Sequence, residues 1–150
     1  MLAACIVEYP LAGRKNSLIA VEGKTLNNEV VVSVVDQGDG IPEEQLKKIT
    51  KAFVKIMNIA EVDFGVLGTE ESASGDIAKR AGNEFLFQMQ ALTNIEVLNG
   101  YNIKKIVTTC PHCFNTLKNE YPELGGQYDV MHHTQFIKSL LNDGRLTVNG

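Results

Sequence analysis

The chain has 150 residues, 44% hydrophobic and 21% charged, which is enough to bury the core of one globular domain. Its formal net charge of −4 argues against nucleic acid or an anionic membrane surface as the main partner. The apolar runs are too short to cross a bilayer, MLAACIVEYP lacks the basic start of a secretory signal, and three cysteines are an odd, low count for a secreted disulfide framework. We therefore expect a cytoplasmic protein with no direct membrane insertion.

The first third of the chain is predicted to form strands. Residues 4–8, 17–22 and 29–36 are strand-like, with turns at GRKN and LNNE. The third run, EVVVSVVD, is β-branched and nearly continuous, which is typical of a strand covered on both faces. Pro42, followed by Glu43 and Glu44, then predicts the start of a helix.

The remaining chain alternates between helices and strands. The first helix carries an apolar stripe of Leu46, Ile49, Phe53, Ile56 and Met57. The strand VDFGVLG follows, and then one long helix whose predicted buried face holds Ile77, Ala81, Phe85, Met89, Leu92 and Ile95. The strand IKKIVTT, the helix PHCFNTLKNEYP, the strand YDVMHH and the helix TQFIKSLLNDG come after it.

This order predicts the fold class. A β-α-β-α-β-α-β-α sequence implies a parallel sheet with right-handed crossovers. We predict a single α/β domain over residues 1–150, a Rossmann-like three-layer sandwich with a mostly parallel sheet and helices on both faces. Residues 1–28 are an N-terminal extension whose strands can run antiparallel, and residues 29–150 are the β–α core.

The candidate site lies where strands give way to helices, because the carboxyl ends of parallel strands share one edge of the sheet. One such turn, TTCPHCF, carries Cys110 at a strand end and Cys113 in the first turn of the next helix. Backbone N–H groups and the helix dipole there favour thiolates. The pair can ligate a metal or an iron–sulfur centre, act as a redox dithiol, or be purely structural.

The histidines near this edge suggest a second kind of centre. His132 or His133, at the end of the next strand, could complete a Cys₂His zinc site with Cys110 and Cys113. Adjacent strand residues face opposite sides, so both histidines cannot easily ligate, and bonding to the loop is the alternative. His112 is expected to point away from a centre that both sulfurs face.

The turn VVDQGDGIPEE resembles the adenine-contacting box of the histidine-kinase-type ATP-binding fold, over residues 17–49. The resemblance implies that Asp36 contacts the adenine amino group, with Gly38 and Gly40 allowing close backbone approach. The Asn-bearing helix and the second glycine box of that family have no counterpart here. A Gly-rich strand-to-helix turn is the preferred alternative.

A longer resemblance covers residues 46–146. It rests on KKITKAFVKIMN, VDFGVLGTEESASGD, AKRAGNEFLFQMQALTNIEVLNGY, KKIVTTCPHCFNTLKNEYPELGG and YDVMHHTQFI. In order and spacing these segments resemble the cysteine-rich (CCG-type) domain of the superfamily that contains heterodisulfide reductase and the glycolate oxidase iron–sulfur subunit. The resemblance implies an iron–sulfur cluster, typically [4Fe–4S], and electron exchange with a disulfide, quinone or flavin partner inside a complex of several subunits.

The ligands implied by that family are incomplete here. They come from a Cys-Gly turn, a Cys-Cys-Gly or Cys-Thr-Gly turn, and the Cys-x-x-Cys that remains as Cys110 and Cys113. Ala73 stands where the second turn carries cysteine, and Gln37 lies near the position of the first. Two thiolates do not satisfy the usual four-thiolate shell of a cluster. Cys5 could add a third only if its strand runs along the same edge.

The function implied by the resemblance is therefore an iron–sulfur-type electron-transfer domain, heterodisulfide reductase-like, with incomplete cluster ligation. It would be an oxidoreductase subunit. One alternative is a cluster-free redox protein that uses the Cys110-Pro-His-Cys113 dithiol. A second alternative is a scaffold domain without activity, or a chimera in which a kinase-like segment is joined to a cysteine-rich segment near residue 45. A third is an ATP-binding fragment.

Overall fold

A computed structural model describes residues 4–8, 30–34, 43–67, 70 and 72–148. Within 4–8, 30–34 and 43–50 it describes backbone alone, except at Lys48. The predicted strand at 17–22 and the turn that contains Asp36, Gln37, Gly38 and Gly40 lie outside these residues.

The described elements follow one another in the order β1-β2-α1-β3-α2-α3-β4-α4-β5-α5. Their bounds are β1 Ala4–Glu8, β2 Val30–Val34, α1 Glu43–Ile59, β3 Phe64–Gly65, α2 Asp76–Arg80, α3 Glu84–Gly100, β4 Lys105–Thr108, α4 Pro111–Asn115, β5 Asp129–His132 and α5 His133–Asn142. A π-helical turn, Thr116–Glu120, and a 3-10 turn, Tyr121–Leu124, continue α4. Among these described segments, none of the helices is both long enough and apolar enough to span a bilayer.

The sheet brings the site-bearing strand ends together. β2, β4 and β5 pair in parallel, and Thr108 at the end of β4 lies between Ser33 and His132. β3 also pairs in parallel with β2, whereas β1 runs antiparallel to both β2 and β3. Because β4 and β5 are parallel, the turns that follow them leave the sheet at the same edge.

β4 is covered on both faces. Ile106 and Val107 are consecutive and therefore point to opposite sides of the sheet. The cluster around Ile106 includes residues of α2 and α3, and the cluster around Val107 includes residues of α1 and α5. Helices thus flank β4 on both sides, as a three-layer sandwich requires, and for the whole chain the sandwich stays a prediction.

The prediction of one long helix after residue 75 is wrong. The chain forms α2 and α3, separated by Gly82 at φ 76 and by Asn83, whose side-chain oxygen accepts a hydrogen bond from the Leu86 N–H at 3.1 Å. Because α3 begins anew after this break, its residues do not continue the helical spacing of α2. The apolar face predicted from Ile77 onward is therefore not one continuous face. Most of that face is exposed, namely Ile77, Ala81, Phe85, Met89 and Leu92, and α3 instead buries Phe87, Ala91, Ile95 and Leu98.

Candidate functional site

Cys110 connects β4 to α4 in a turn that is held by the Thr108 side chain. Its φ of −92° and ψ of 121° are extended, as expected for a residue before proline, and Pro111 begins the helix. The Cys110 N–H donates to Oγ1 of the fully buried Thr108 at 3.2 Å. The Thr108 hydroxyl in turn donates to the Cys110 carbonyl at 3.5 Å. The position of the first sulfur is therefore set at the end of the strand.

Cys113 lies one helical turn later, against Cys110. It is fully buried, whereas Cys110 is half-buried, and the two side chains share a hydrogen bond. The two sulfurs are not joined in a disulfide. The pair thus has one accessible sulfur and one enclosed sulfur, the asymmetry expected of an attacking thiol and its resolving partner.

The accessible thiol is acidic. The hydrogen bond from Cys113 is the largest cause that lowers the pKa of Cys110, from 9.0 to about 5; burial opposes it, and contacts with His112 lower the pKa further. His112 Nδ1 lies 3.9 Å from Cys110 Sγ, so the expectation that this ring points away is wrong. At neutral pH, Cys110 is therefore a thiolate, the form that binds metals and attacks disulfides.

The loop before α2 brings a further polar group to the pair. Ser74 is buried, and its Oγ lies 3.5 Å from Cys113 Sγ in a hydrogen bond. Ala73, which the resemblance places at a ligand position, is exposed, and its carbonyl accepts a hydrogen bond from Asn94 Nδ2 at 2.9 Å. We did not predict Ser74 as a site residue, although it lies between Ala73 and Gly75 in the turn that the resemblance places at a ligand position.

Two hydrogen bonds and a glycine hold this loop in place. The buried Tyr121 hydroxyl donates to the Ser74 carbonyl at 3.0 Å, and Asn94 Nδ2 donates to the same hydroxyl at 3.0 Å. Gly75 has φ 87, and a Cβ added there would lie 2.8 Å from Phe87 Cδ2. The residue after Ser74 must therefore be glycine for the loop to approach α3 this closely.

A buried carboxylate ties this loop to the helix that carries Cys113. Asp76 Oδ1 accepts hydrogen bonds from Thr116 Oγ1 at 3.0 Å and from Arg80 Nε at 3.1 Å. Arg80 also forms an ion pair with Glu120 at the end of the π-helical turn. The segments on either side of the Ser74–Cys113 contact are thus joined independently of that contact.

His132 forms hydrogen bonds to the turn that precedes Cys110 and to the start of α5. Its Nε2 donates to the Thr109 carbonyl at 3.2 Å, and Nδ1 accepts from Thr134 Oγ1 at 2.8 Å, so both nitrogens are engaged. His133 is the first residue of α5, and burial together with the neighbouring His132 lowers its pKa. The two rings lie 4.2 Å apart, so the expectation that they face opposite sides of a strand is wrong.

The described residues supply only part of a metal centre. No group of three His, Cys, Asp or Glu side chains that could hold a metal ion occurs within the described ranges. An iron–sulfur cluster usually takes four thiolates, and the site here brings two sulfurs, a serine hydroxyl and an exposed alanine. By themselves, these residues do not fit a [4Fe–4S] cluster or a Cys₂His zinc site; Gln37 and the Cys5 side chain lie outside the described part.

Comparison with known proteins shows the family of the domain that carries this site. A family model described as a cysteine-rich domain (CCG) matches residues 41–118, just over half of the chain. The chain belongs to the CCG cysteine-rich domain family. In this CCG domain the matched range includes Ala73, Cys110 and Cys113, and it begins after the turn that contains Gln37.

Curated relatives of the CCG domain include an "EtfAB:quinone oxidoreductase" of Syntrophomonas wolfei, 45% identical over 69% of the chain. A "Probable membrane-anchored ferredoxin" of Chromohalobacter salexigens is 45% identical over 73% of the chain. A "Probable iron-sulfur-binding oxidoreductase FadF" of Bacillus subtilis is 44% identical over 71%. The matches cover only 15%, 17% and 15% of these relatives' lengths, respectively. No solved structure gives a significant match to the chain.

Proposed function

We propose that this CCG domain takes part in electron transfer within an iron–sulfur oxidoreductase, with Cys110 and Cys113 as its redox centre. One observation carries the proposal: an acidic, half-exposed Cys110 in hydrogen-bond contact with a buried Cys113. The names of the relatives support the oxidoreductase class. Other subunits of an electron-transfer complex are the proposed partners, and a heterodisulfide reductase-like reaction is the finer form of the proposal.

The iron–sulfur form of this proposal is tested by reconstitution. Anaerobically purified protein is incubated with iron and sulfide, and bound iron, zinc and sulfide are measured together with the thiolate-to-iron absorbance. Because the described residues bring only two thiolates, we expect substoichiometric iron in the native chain, and none in Cys110→Ser/Cys113→Ser. Iron retained equally by that double variant would contradict a role for the pair as ligands.

The contact between the sulfurs favours a second form, a dithiol that reduces a disulfide. The Cys110 thiolate attacks one sulfur of the acceptor disulfide. The acceptor's S–S bond breaks, its other sulfur leaves as a thiolate, and a mixed disulfide with Cys110 forms. Cys113 then attacks the mixed disulfide, its proton passing to the second leaving thiol. The Cys110–Cys113 disulfide is formed, and two electrons have passed to the acceptor.

Titration against glutathione redox buffers tests the dithiol form. We expect reversible formation of one intramolecular disulfide, seen as a loss of two hydrogens in the intact mass. Cys113→Ser should instead accumulate a mixed disulfide between Cys110 and glutathione, because the resolving thiol is missing. A native chain that forms no disulfide and binds no iron would identify the domain as a scaffold, the remaining alternative.

A further inference from the structure

The Ser74 hydroxyl is the polar group that meets the enclosed sulfur of the pair. We propose that Ser74 is a positioning residue of the redox site, whose hydrogen bond with Cys113 Sγ stabilises the reduced form against the Cys110–Cys113 disulfide. The inference rests on the proposed dithiol function and adds to it a residue that sets the equilibrium with a disulfide acceptor.

The geometry fixes this contact from both sides. Ser74 and Cys113 are 4% and 0% exposed, so bulk water does not compete for the hydrogen bond of 3.5 Å between them. Tyr121 holds the Ser74 carbonyl, and Gly75 allows the close approach to Phe87. On the other side, Thr116 binds Asp76 and fixes the helical turn after Cys113. The hydroxyl is therefore held against the sulfur.

The chemistry of sulfur gives the direction of the effect. A thiol can donate or accept a hydrogen bond, and a thiolate accepts a stronger one. A disulfide sulfur has no proton to donate and is a weak acceptor. A buried hydroxyl beside Cys113 therefore favours the dithiol in either of its protonation states, and its removal should favour the disulfide.

The first experiment measures the equilibrium between the dithiol and oxidised glutathione, which yields the disulfide and two reduced glutathiones. The whole chain is equilibrated anaerobically in glutathione buffers, acid-quenched and alkylated, and the oxidised fraction is read by intact mass. We expect Ser74→Ala to raise the equilibrium constant about fivefold, the equivalent of one net hydrogen bond. Ser74→Thr keeps the hydroxyl and should stay within about twofold of the native value.

Ser139→Ala is the control, because the Ser139 hydroxyl likewise makes a side-chain hydrogen bond, here a partly buried one to the Phe136 carbonyl in α5, away from the cysteines. It should leave the constant unchanged. A native-like constant in Ser74→Ala, or an equal shift in Ser74→Thr, overturns the inference while the dithiol function stands. No intramolecular disulfide in the native chain overturns both.

A second pair of variants does not depend on how Ser74→Ala folds. In Ser74→Cys the new thiol lies beside Cys113 and should compete with Cys110, so peptide mapping of the oxidised protein should find Cys113 joined to position 74. In Ala73→Cys the new thiol starts from an exposed position, and Cys113 should stay joined to Cys110. The reverse pattern, or identical patterns, overturns the placement of Ser74.

Discussion

The acidity of Cys110 comes from specific neighbours. Helix α4 has only five residues, and the groups that lower the pKa of Cys110 are Cys113 first and then His112. Partial burial of the Cys110 side chain works in the opposite direction and raises the pKa. A Cys-x-x-Cys at a helix start therefore predicts the direction of the shift, but its size depends on side-chain packing.

This shift links stability to pH. The pKa of Cys110 is lowered from 9.0 to about 5 on folding, so its stabilising contribution is fully present above pH 9 and is lost as pH falls through 5. Between these values, the free energy of unfolding of the reduced protein should rise with pH. Cys110→Ser should remove that part of the slope, as measured by urea unfolding at several pH values with a reductant present. Parallel profiles for the two proteins would contradict the shift.

Gly75 is the residue at which the loop has least room. Gly75→Ala forces a side chain into left-handed backbone and against the Phe87 ring, and should lower the free energy of unfolding by about 2–4 kcal/mol. Gly82→Ala is the matched control, because φ is 76 there but a Cβ would meet nothing within 4 Å. It should cost about 1 kcal/mol. Equal costs in urea unfolding would show that the Phe87 contact does not matter.

At the scale of the element, α3 shows how periodicity can indicate the wrong face. The helix has apolar residues both on its buried side, such as Phe87 and Ile95, and on its exposed side, such as Phe85 and Met89. A helix that is apolar on two sides has no single face that its sequence pattern marks as buried. The break at Gly82 and Asn83 also means that the buried side of α2 cannot be extended into α3. Contacts with β4 and the 3-10 turn decide which side is buried.

A pair of leucines tests this assignment. Leu98 is 4% exposed and Leu92 is 50% exposed on the same helix. Leu98→Ala should lower the free energy of unfolding by about 2–5 kcal/mol, since it leaves a cavity in the core. Leu92→Ala should change it by less than about 1 kcal/mol. Urea unfolding of both variants provides the measurement, and a larger loss for Leu92→Ala would restore the originally predicted face.

At the scale of the whole molecule, Arg145, which follows α5, is hydrogen-bonded to the segment that follows α1. Arg145 donates from its guanidinium to the Ala60 carbonyl at 3.1 Å and to the Glu61 carbonyl at 2.7 Å. These carbonyls directly follow α1, where a helix end leaves acceptors without intrahelical partners. One side chain thus connects the segments after α1 and α5. Arg145 is 85 residues from Ala60 and 84 residues from Glu61 in the chain.

Removal of this connection should loosen both helices together. Arg145→Ala should lower the free energy of unfolding by about 1–2 kcal/mol. Arg145→Lys should lower it by less, because lysine keeps the positive charge but lacks the planar guanidinium whose two nitrogens donate to the two carbonyls. Lys138→Ala, an exposed cation on α5, is the control. Hydrogen exchange should show faster exchange at the ends of α1 and α5 in Arg145→Ala alone. An unchanged pattern would mean that these hydrogen bonds do not join the helices.

Much of the site can be predicted from the sequence, because it depends on residues that are neighbours in the chain. The spacing of Cys110 and Cys113, the strand before them and Pro111 between them determine a strand-to-helix turn with two close sulfurs. The family pattern added the loop around Ala73. The alternation of strands and helices likewise follows from local patterns, whose period is two or about four residues.

Only the tertiary structure decided which groups meet those sulfurs. Ser74 reaches Cys113 across 39 residues, and His132 reaches Thr109 across 23. Such contacts depend on how α2, α3 and β5 pack around β4, and no local pattern encodes that packing. The sequence determined that a cysteine pair ends a strand; the fold placed Ser74 beside it and turned His132 to the backbone, because distant side chains are brought together only when the helices bury their apolar faces.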